Sequence, residues 1–325
     1  MEISCGFPPS NDAVGHAVLA ESLGYKRAWV YDSPALYGDV WVTLARMADR
    51  TERIGLGPAV LIPNLRHVLV QASAIATLES LAPGRTVAAI GTGFTGRQAL
   101  GQKALPWREV EEYIRTLQAL LRGETVEVEG AMIGMIPAGG TLPQPPIHVP
   151  ILVAANGPKG LAVAEELGDG VMTVIGAVPG GFEWCSVLAF GTVLEEGESP
   201  SSERALAAAG PGVTVVYHAM YGGDPTSVDA LPGGAEWRSE IEKVPEEIRH
   251  LTVHAEHMVR VSEHDRPLLA TAGDLMSSFT YTGTAKEVRA RIDALEASGV
   301  TELLYAPMGP DVPRELRAFA AMAGL

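Results

Sequence analysis

Three groups of residues in this chain of 325 have types and spacings that suit chemistry. Gly91-Thr92-Gly93-Phe94-Thr95-Gly96 matches G-x-G-x-x-G directly after an apolar run. In that pattern glycines and a helix N-terminus approach a pyrophosphate, and Glu111 and Glu112 stand about 20 residues on, where a ribose would be read. The fingerprint needs its last glycine inside the helix, whereas Gly96 leads into 97–104 and Pro106 breaks the register, so a loop at a strand end is the better reading. His250, His254 and His257 recur at i, i+4 and i+7 on one face of an expected helix, and three imidazoles can hold zinc. No carboxylate position completes that set, a solvated or interface face is the plainer reading, and no metal is expected. Asp32 and Ser33 close another apolar run and offer a carboxyl and a hydroxyl for proton transfer. Without a nearby histidine they build no triad, and Asp32 also suits an N-cap of the next helix. The chain has neither a G-x-S-x-G elbow nor a Walker loop.

Composition narrows the partners. Lys and Arg total 24 against 39 Asp and Glu, a formal charge of −15. Such a field repels phosphate backbones and anionic membrane surfaces, so neither nucleic acid nor membrane is expected as a partner. A content of 47% hydrophobic and 19% charged residues suits a soluble protein with a large core. The most apolar stretch, 68–82, is interrupted by Gln71, Ser73, Thr77 and Glu79, short of a membrane span. The N-terminus has neither the basic nor the apolar region of a signal peptide. Two cysteines, Cys5 and Cys185, make no disulfide framework, and free thiols fit a reducing cytoplasm, the expected location.

The elements that must position these residues alternate in type. Strand patterns fall at 3–7, 27–31, 54–61, 86–90, 151–154, 171–175, 186–193 and 302–306. Helical patterns fall between them at 11–23, 40–51, 68–81, 107–121 and 160–167, and later at 284–298 and 312–323. A hairpin insertion is expected near 125–135 and a variable insertion near 195–245, with a helical piece at 201–209 and an apolar run at 213–217. A helical stretch at 235–262 follows. Eight strands without a break in composition predict one α/β domain over 1–325, a (β/α)8 TIM barrel with insertions, rather than an open doubly wound sheet. Chemistry in such a barrel gathers at the C-terminal ends of the strands, here 7–10, 32–33, 58–63, 92–97, 155–159, 176–181, 195–196 and 307–309.

At these strand ends the chain resembles the bacterial-luciferase-like superfamily of flavin- and deazaflavin-dependent oxidoreductases. The likeness is carried by Ile54-Gly-Leu-Gly-Pro-Ala-Val-Leu-Ile-Pro63, Leu65-Arg66-His67, Ala74-Ile-Ala-Thr-Leu-Glu-Ser-Leu-Ala-Pro-Gly-Arg85 and Ala89-Ile-Gly-Thr-Gly93, with Ile151-Leu-Val-Ala-Ala-Asn-Gly-Pro-Lys159 as companion. It extends over nearly the whole chain and is weakest across 195–245. The resemblance implies a barrel, an isoalloxazine or deazaisoalloxazine across the strand ends, and often a homodimer.

Carried over residue by residue, the resemblance makes Asp32 the acidic neighbour of the ring, with Ser33 beside it as the second catalytic candidate. Ala59 and Val60 match the place where relatives have a cis peptide behind the ring. Thr92 and Gly93 match a close backbone approach. Ala155, Asn156, Gly157 and Pro158 match the phosphate contact, Ile175 and Gly176 a second phosphate loop, and Lys159 or Arg97 an anionic tail. Sugar-phosphate dehydrogenases of the superfamily have His and Glu where Ser33 and Phe94 stand here, which disfavours alcohol oxidation. The pattern is closer to the methylenetetrahydromethanopterin-reductase-like branch. Phe7, Phe94 and Trp184 are expected on an apolar substrate side. The implied function is hydride transfer between coenzyme F420 and a small organic substrate; an FMN-dependent monooxygenase and a non-catalytic flavin-binding barrel are the alternatives.

Overall fold

The computed structural model describes residues 1–174, 179–271 and 273–325. Its strands are Glu2–Phe7 (β1), Arg27–Val30 (β2), Gly55–Pro58 (β3), Ala88–Gly91 (β4), Val126–Val128 (β5), Ala131–Ile133 (β6), Ile151–Ala154 (β7), Gly170–Val174 (β8), Cys185–Phe190 (β9) and Glu302–Ala306 (β10). Eight of them pair in parallel in the order β3-β2-β1-β10-β9-β8-β7-β4, and β5 and β6 form a separate antiparallel hairpin. Parallel bridges Leu56–Thr86 and Leu61–Ile90 join the two ends of that order. The sheet is therefore closed, and the expected (β/α)8 TIM barrel is the fold.

Strand residues alternate between two cores because successive side chains point to opposite faces. Ile3, Cys5 and Phe7 of β1 pack outward with Val14 and Ala17 of the helix Ala13–Leu23 (α1). Trp29, Val87, Ala89, Leu152, Met172 and Leu304 come from five strands and meet inside the barrel. At the seam, β3 and β4 run so close that a Cβ on Gly57 would stand 2.0 Å from the Val87 carbonyl oxygen.

The outer layer continues with Val40–Ala48 (α2), Val68–Leu81 (α3), the short Phe94–Gln98 (α4), Trp107–Arg122 (α5) and Pro158–Leu167 (α6). Between β9 and β10 the chain adds Glu203–Gly223 (α7), Gly234–Ile241 (α8), Glu246–Val253 (α9), Arg266–Thr271 (α10), Gly273–Phe279 (α11) and Ala285–Ala297 (α12), and Val312–Ala323 (α13) closes it. The expected piece at 201–209 and the apolar run at 213–217 are one helix, α7, which runs through Pro211. Ala209, Val213 and Tyr217 recur in steps of four and share one core with Trp237, Ile241 and Leu268, and that burial offsets the roughly 3 kcal/mol cost of an interior proline. The stretch 235–262 is not one helix: Pro245 begins α9 afresh, and Glu256 and Met258 take positive φ beyond its end. Among the described residues no helix is long and apolar enough to cross a membrane.

Candidate active site

At the C-terminal mouth of the barrel the strand ends carry small side chains. Ala59, Val60, Ala154 and Leu188 pack on the interior layer of Trp29, Leu152 and Leu304, yet each stays partly exposed. Inward-pointing residues that meet solvent form the floor of an open bowl. Gly91 lies in that floor, where a Cβ would stand 3.2 Å from both Ala154 Cβ and Val60 Cγ2. The peptide joining Ala59 to Val60 is cis. Beyond Gly91, Thr92 is half-buried and its carbonyl accepts from the Leu105 amide at 2.9 Å.

Gly93 adopts φ 77°, a left-handed conformation that glycine takes without steric cost, and a Cβ there would reach within 2.6 Å of Ile62 Cγ2. It opens α4, a five-residue helix within a segment expected to be loop. Gly96 lies inside this helix, contrary to expectation, but α4 has only five residues and follows a strand of a closed barrel, so the G-x-G-x-x-G pattern encodes a tight turn beside the barrel mouth and not a dinucleotide fold. Phe94, the first residue of α4, is 43% exposed. Arg97 on the same helix donates to the Lys103 carbonyl, and its Nη1 is buried with no hydrogen-bond partner among the described residues.

Asp32 follows β2 and is 3% exposed. Arg66 donates to its Oδ2 at 2.7 Å and to Asp39 Oδ2 at 2.9 Å. Burial raises the Asp32 carboxyl above its usual range; Arg66 pulls it down and Asp39 pushes it up. Ser33 is half-buried next to it, its Oγ 3.1 Å from where a Cβ on Gly96 would be. Replacing Arg66 by alanine leaves a carboxylate in a low-dielectric site without its partner. The expected loss is about 3 kcal/mol of folding stability near neutral pH. The folded Asp32 then holds its proton more tightly than the unfolded chain does, so the deficit shrinks as pH falls through the raised folded value. Urea melts of both proteins at pH 7 and pH 4 measure the difference; an equal deficit at the two values contradicts it.

Across the mouth, Asn156 pairs its side chain with both backbone groups of Val174, Nδ2 donating to the carbonyl at 3.1 Å and Oδ1 accepting from the amide at 3.2 Å. The pairing ties the end of β7 to the end of β8. Ala155 is buried and donates its amide to the Met172 carbonyl at 3.0 Å. Gly157 is the N-cap of α6 and Pro158 sits in its first turn, both exposed, with no side-chain cap. Such a helix start presents amides and the positive end of its dipole to an anion. Exposed Lys159 lies in the same turn. Gly160 lets α6 seat on the barrel, because a Cβ there would stand 2.2 Å from the Trp107 ring and 2.7 Å from Ala155 Cβ. Ile175 and Gly176, expected as a second phosphate loop, lie outside the described residues.

One aromatic expectation changes. Trp184 precedes β9 and so stands at the N-terminal end of the barrel, opposite the mouth. Its indole N–H donates to Glu302 at 2.6 Å and the Arg27 guanidinium lies 4.2 Å above its ring, so it plugs the barrel floor and does not line a substrate side. Phe7 packs in the outer core, 5.7 Å from the His16 ring, and is one of the residues lining a cleft at the ends of β1 and β10. That cleft, about 470 Å³, is walled by Pro8, Tyr37, Met258, Pro307 and Met308. Tyr31, Phe190 and Ala306 pack with Met258 and Met308 at this end of the barrel. Arg66 stands in the Leu65-Arg66-His67 motif, where sequence alone gives no sign that it pairs with Asp32. Met258 and Met308 lie 50 residues apart in numbering and give no local signal.

The histidines also regroup. His254 and His257 lie beside His218 of α7, with ring centroids 5.8 and 5.6 Å from it. His250 falls elsewhere, beside Gly101.

Comparison with known proteins agrees with this fold. Over 319 residues, 92% of this chain and 90% of the relative, it is 26% identical to the 5,10-methylenetetrahydromethanopterin reductase of Archaeoglobus fulgidus. Over 185 residues, about half of each protein, it is 36% identical to the F420-dependent glucose-6-phosphate dehydrogenase of Beutenbergia cavernae. The solved coenzyme F420 dependent tetrahydromethanopterin reductase from Methanopyrus kandleri superposes with a TM-score of 0.69 at 20% identity, covering 98% of both chains, and so shares the fold. The family model for luciferase-like monooxygenases matches residues 4–188, more than half of the chain, and the protein belongs to that family.

Proposed function

We propose that the protein is an oxidoreductase that transfers a hydride between coenzyme F420 and a small, largely apolar organic substrate. The observation that carries this reading is the bowl: a floor of Ala59, Val60, Gly91 and Ala154 with an uncapped helix start at Gly157 on its rim. The residues fit a planar tricyclic group with an anionic tail, because the floor between Val60 and Ala154 is closed by a glycine, Gly91, that adds no side chain. Relatives named for F420 dependence add support. Bound there, a deazaflavin supplies an obligate two-electron carrier.

The chain's own part is to bind and orient. Gly91 and the small floor residues would give the ring a flat seat, and the Gly157 and Lys159 amides at the start of α6 would hold the phosphate, since Pro158 has no N–H and the Gly160 and Leu161 amides donate to the Gly157 carbonyl. The Asp32–Arg66–Asp39 chain holds the β2 rim in place, with Asp32 and Ser33 as the protonatable groups nearest the mouth. The neighbouring cleft, rich in proline and methionine, suits an apolar substrate. Phe94, exposed on the rim, adds to that side.

The reading includes one domain over 1–325, a homodimer and a cytoplasmic location. Val42 on α2 and Val70 on α3 are 62% and 54% exposed and offer an apolar face for a second copy. Cys5 and Cys185, both buried free thiols, fit a reducing compartment. Titrating the purified protein with F420 and with FMN tests the cofactor: tighter binding of the deazaflavin is expected, and FMN binding without F420 binding reverses the assignment to a monooxygenase. Turnover of reduced F420 with imine, enone or aldehyde substrates then separates an enzyme from a flavin-binding barrel.

A further inference from the structure

The insertion between β9 and β10 holds a histidine cluster that hydride transfer does not use. His218, His254 and His257 are 1%, 3% and 5% exposed. One ring nitrogen from each lies within 4.8 Å of the other two. The Nδ1 atoms of His218 and His257, 39 residues apart in sequence, are 3.3 Å apart. Two nitrogens bound to one tetrahedral zinc at about 2.0–2.1 Å are themselves about 3.3 Å apart, so this pair already has the separation of two ligands.

The groups behind the cluster have the arrangement that a metal-binding imidazole needs. His218 Nε2 meets Asp265 Oδ1 at 3.1 Å. The same carboxylate accepts from the Trp237 indole at 2.9 Å and from the Ser262 hydroxyl at 2.8 Å. A carboxylate in that position keeps the proton on Nε2 and makes Nδ1 the more basic, lone-pair-bearing nitrogen. A cation between the Nδ1 atoms of His218 and His257 allows both to present lone pairs. His254 Nδ1 is buried with no hydrogen-bond partner among the described residues, an unsatisfied atom beside the His218–Asp265 network.

We propose that His218, His254 and His257 form a buried site for a divalent transition cation of the zinc class, with Asp265 as the carboxylate behind His218. The site also reaches the barrel mouth. The Tyr37 hydroxyl donates to the His257 carbonyl at 2.5 Å, Gly309 donates its amide to the Val259 carbonyl at 2.9 Å, and Met258 and Val259 line the cleft. A cation that ties the 254–257 turn to α7 therefore fixes one wall of the cleft.

Titration of the chelator-treated full chain with Co2+, followed by Zn2+, tests the site. One equivalent of Co2+ per chain is expected, with the intense visible bands of a four-coordinate ion, displaced by Zn2+. Saturating Zn2+ should raise the melting temperature by several degrees. His254→Gln and His257→Gln should each weaken binding by at least about tenfold and lose the bands, while His250→Gln should keep both. Asp265→Asn should weaken binding by about 10-fold with the bands retained. Circular dichroism identifies a variant that fails to fold, and in that case the wild-type titration decides alone. Absence of stoichiometric binding to the wild type, or Co2+ bands that survive in both folded histidine variants, overturns the proposal.

Discussion

Valine at position 91 is expected to abolish deazaflavin binding while the barrel remains folded. Gly91 faces the bowl, and a Cβ there already stands 3.2 Å from Ala154 Cβ and Val60 Cγ2, tighter than ordinary contact. The valine methyls extend further and take the space in which a planar ring must lie at van der Waals distance from the floor. A fall in affinity of at least about 100-fold, near 2.7 kcal/mol, is expected. Gly91→Ala adds only the Cβ, and an intermediate loss of about tenfold should result. Fluorescence titration with F420 reads both, with thermal melts as the check on folding. Wild-type affinity in a folded Gly91→Val protein would remove the ring from this bowl and the hydride-transfer reading with it.

The second large effect belongs to the seam. Alanine at Gly57 would place its Cβ 2.0 Å from the Val87 carbonyl oxygen and 2.8 Å from the carbonyl carbon. Both are backbone atoms of the segment leading into β4, so no side-chain rotation relieves the clash; β3 must move away. That junction already holds only the Leu56–Thr86 and Leu61–Ile90 bridges. Separation there opens the barrel and exposes Trp29 and Val87 of the interior layer. A loss of more than about 4 kcal/mol is expected, in the range reserved for changes that break packing outright. Soluble yield and urea melts measure it. Gly130→Ala, with nothing within 4 Å of its Cβ but a positive φ, should cost only about 1 kcal/mol. Comparable losses at the two positions would show that conformation and not the seam decides.

The two glycines illustrate what was legible in one dimension. The alternation of strands and helices depends on local periodicity and turn residues, so the eight parallel strands, the hairpin insertion and helices such as Val68–Leu81 follow directly from sequence. The motifs around 54–63, 89–93 and 151–159 likewise mark the strand ends that form the mouth, because small residues at fixed spacing after a strand have few other uses. Within those motifs the sequence also shows glycine at 57 and 91, but not which atom each glycine admits.

Everything that required distant segments to meet was decided by the tertiary structure. The charge on Asp32 is countered by Arg66, and both depend on β2 and β3 ending side by side. Trp184 is expected on an apolar substrate side, yet strand direction places it at the closed end with Glu302. The sequence separates a helical piece at 201–209 from an apolar run at 213–217, yet the burial of Val213 and Tyr217 carries one helix through Pro211. The spacing of His250, His254 and His257 suggested one helical face; the end of α9 turned His254 and His257 inward to a histidine from α7. Periodicity is local and survives in the unfolded chain, whereas these contacts exist only once closure of the barrel brings their partners together.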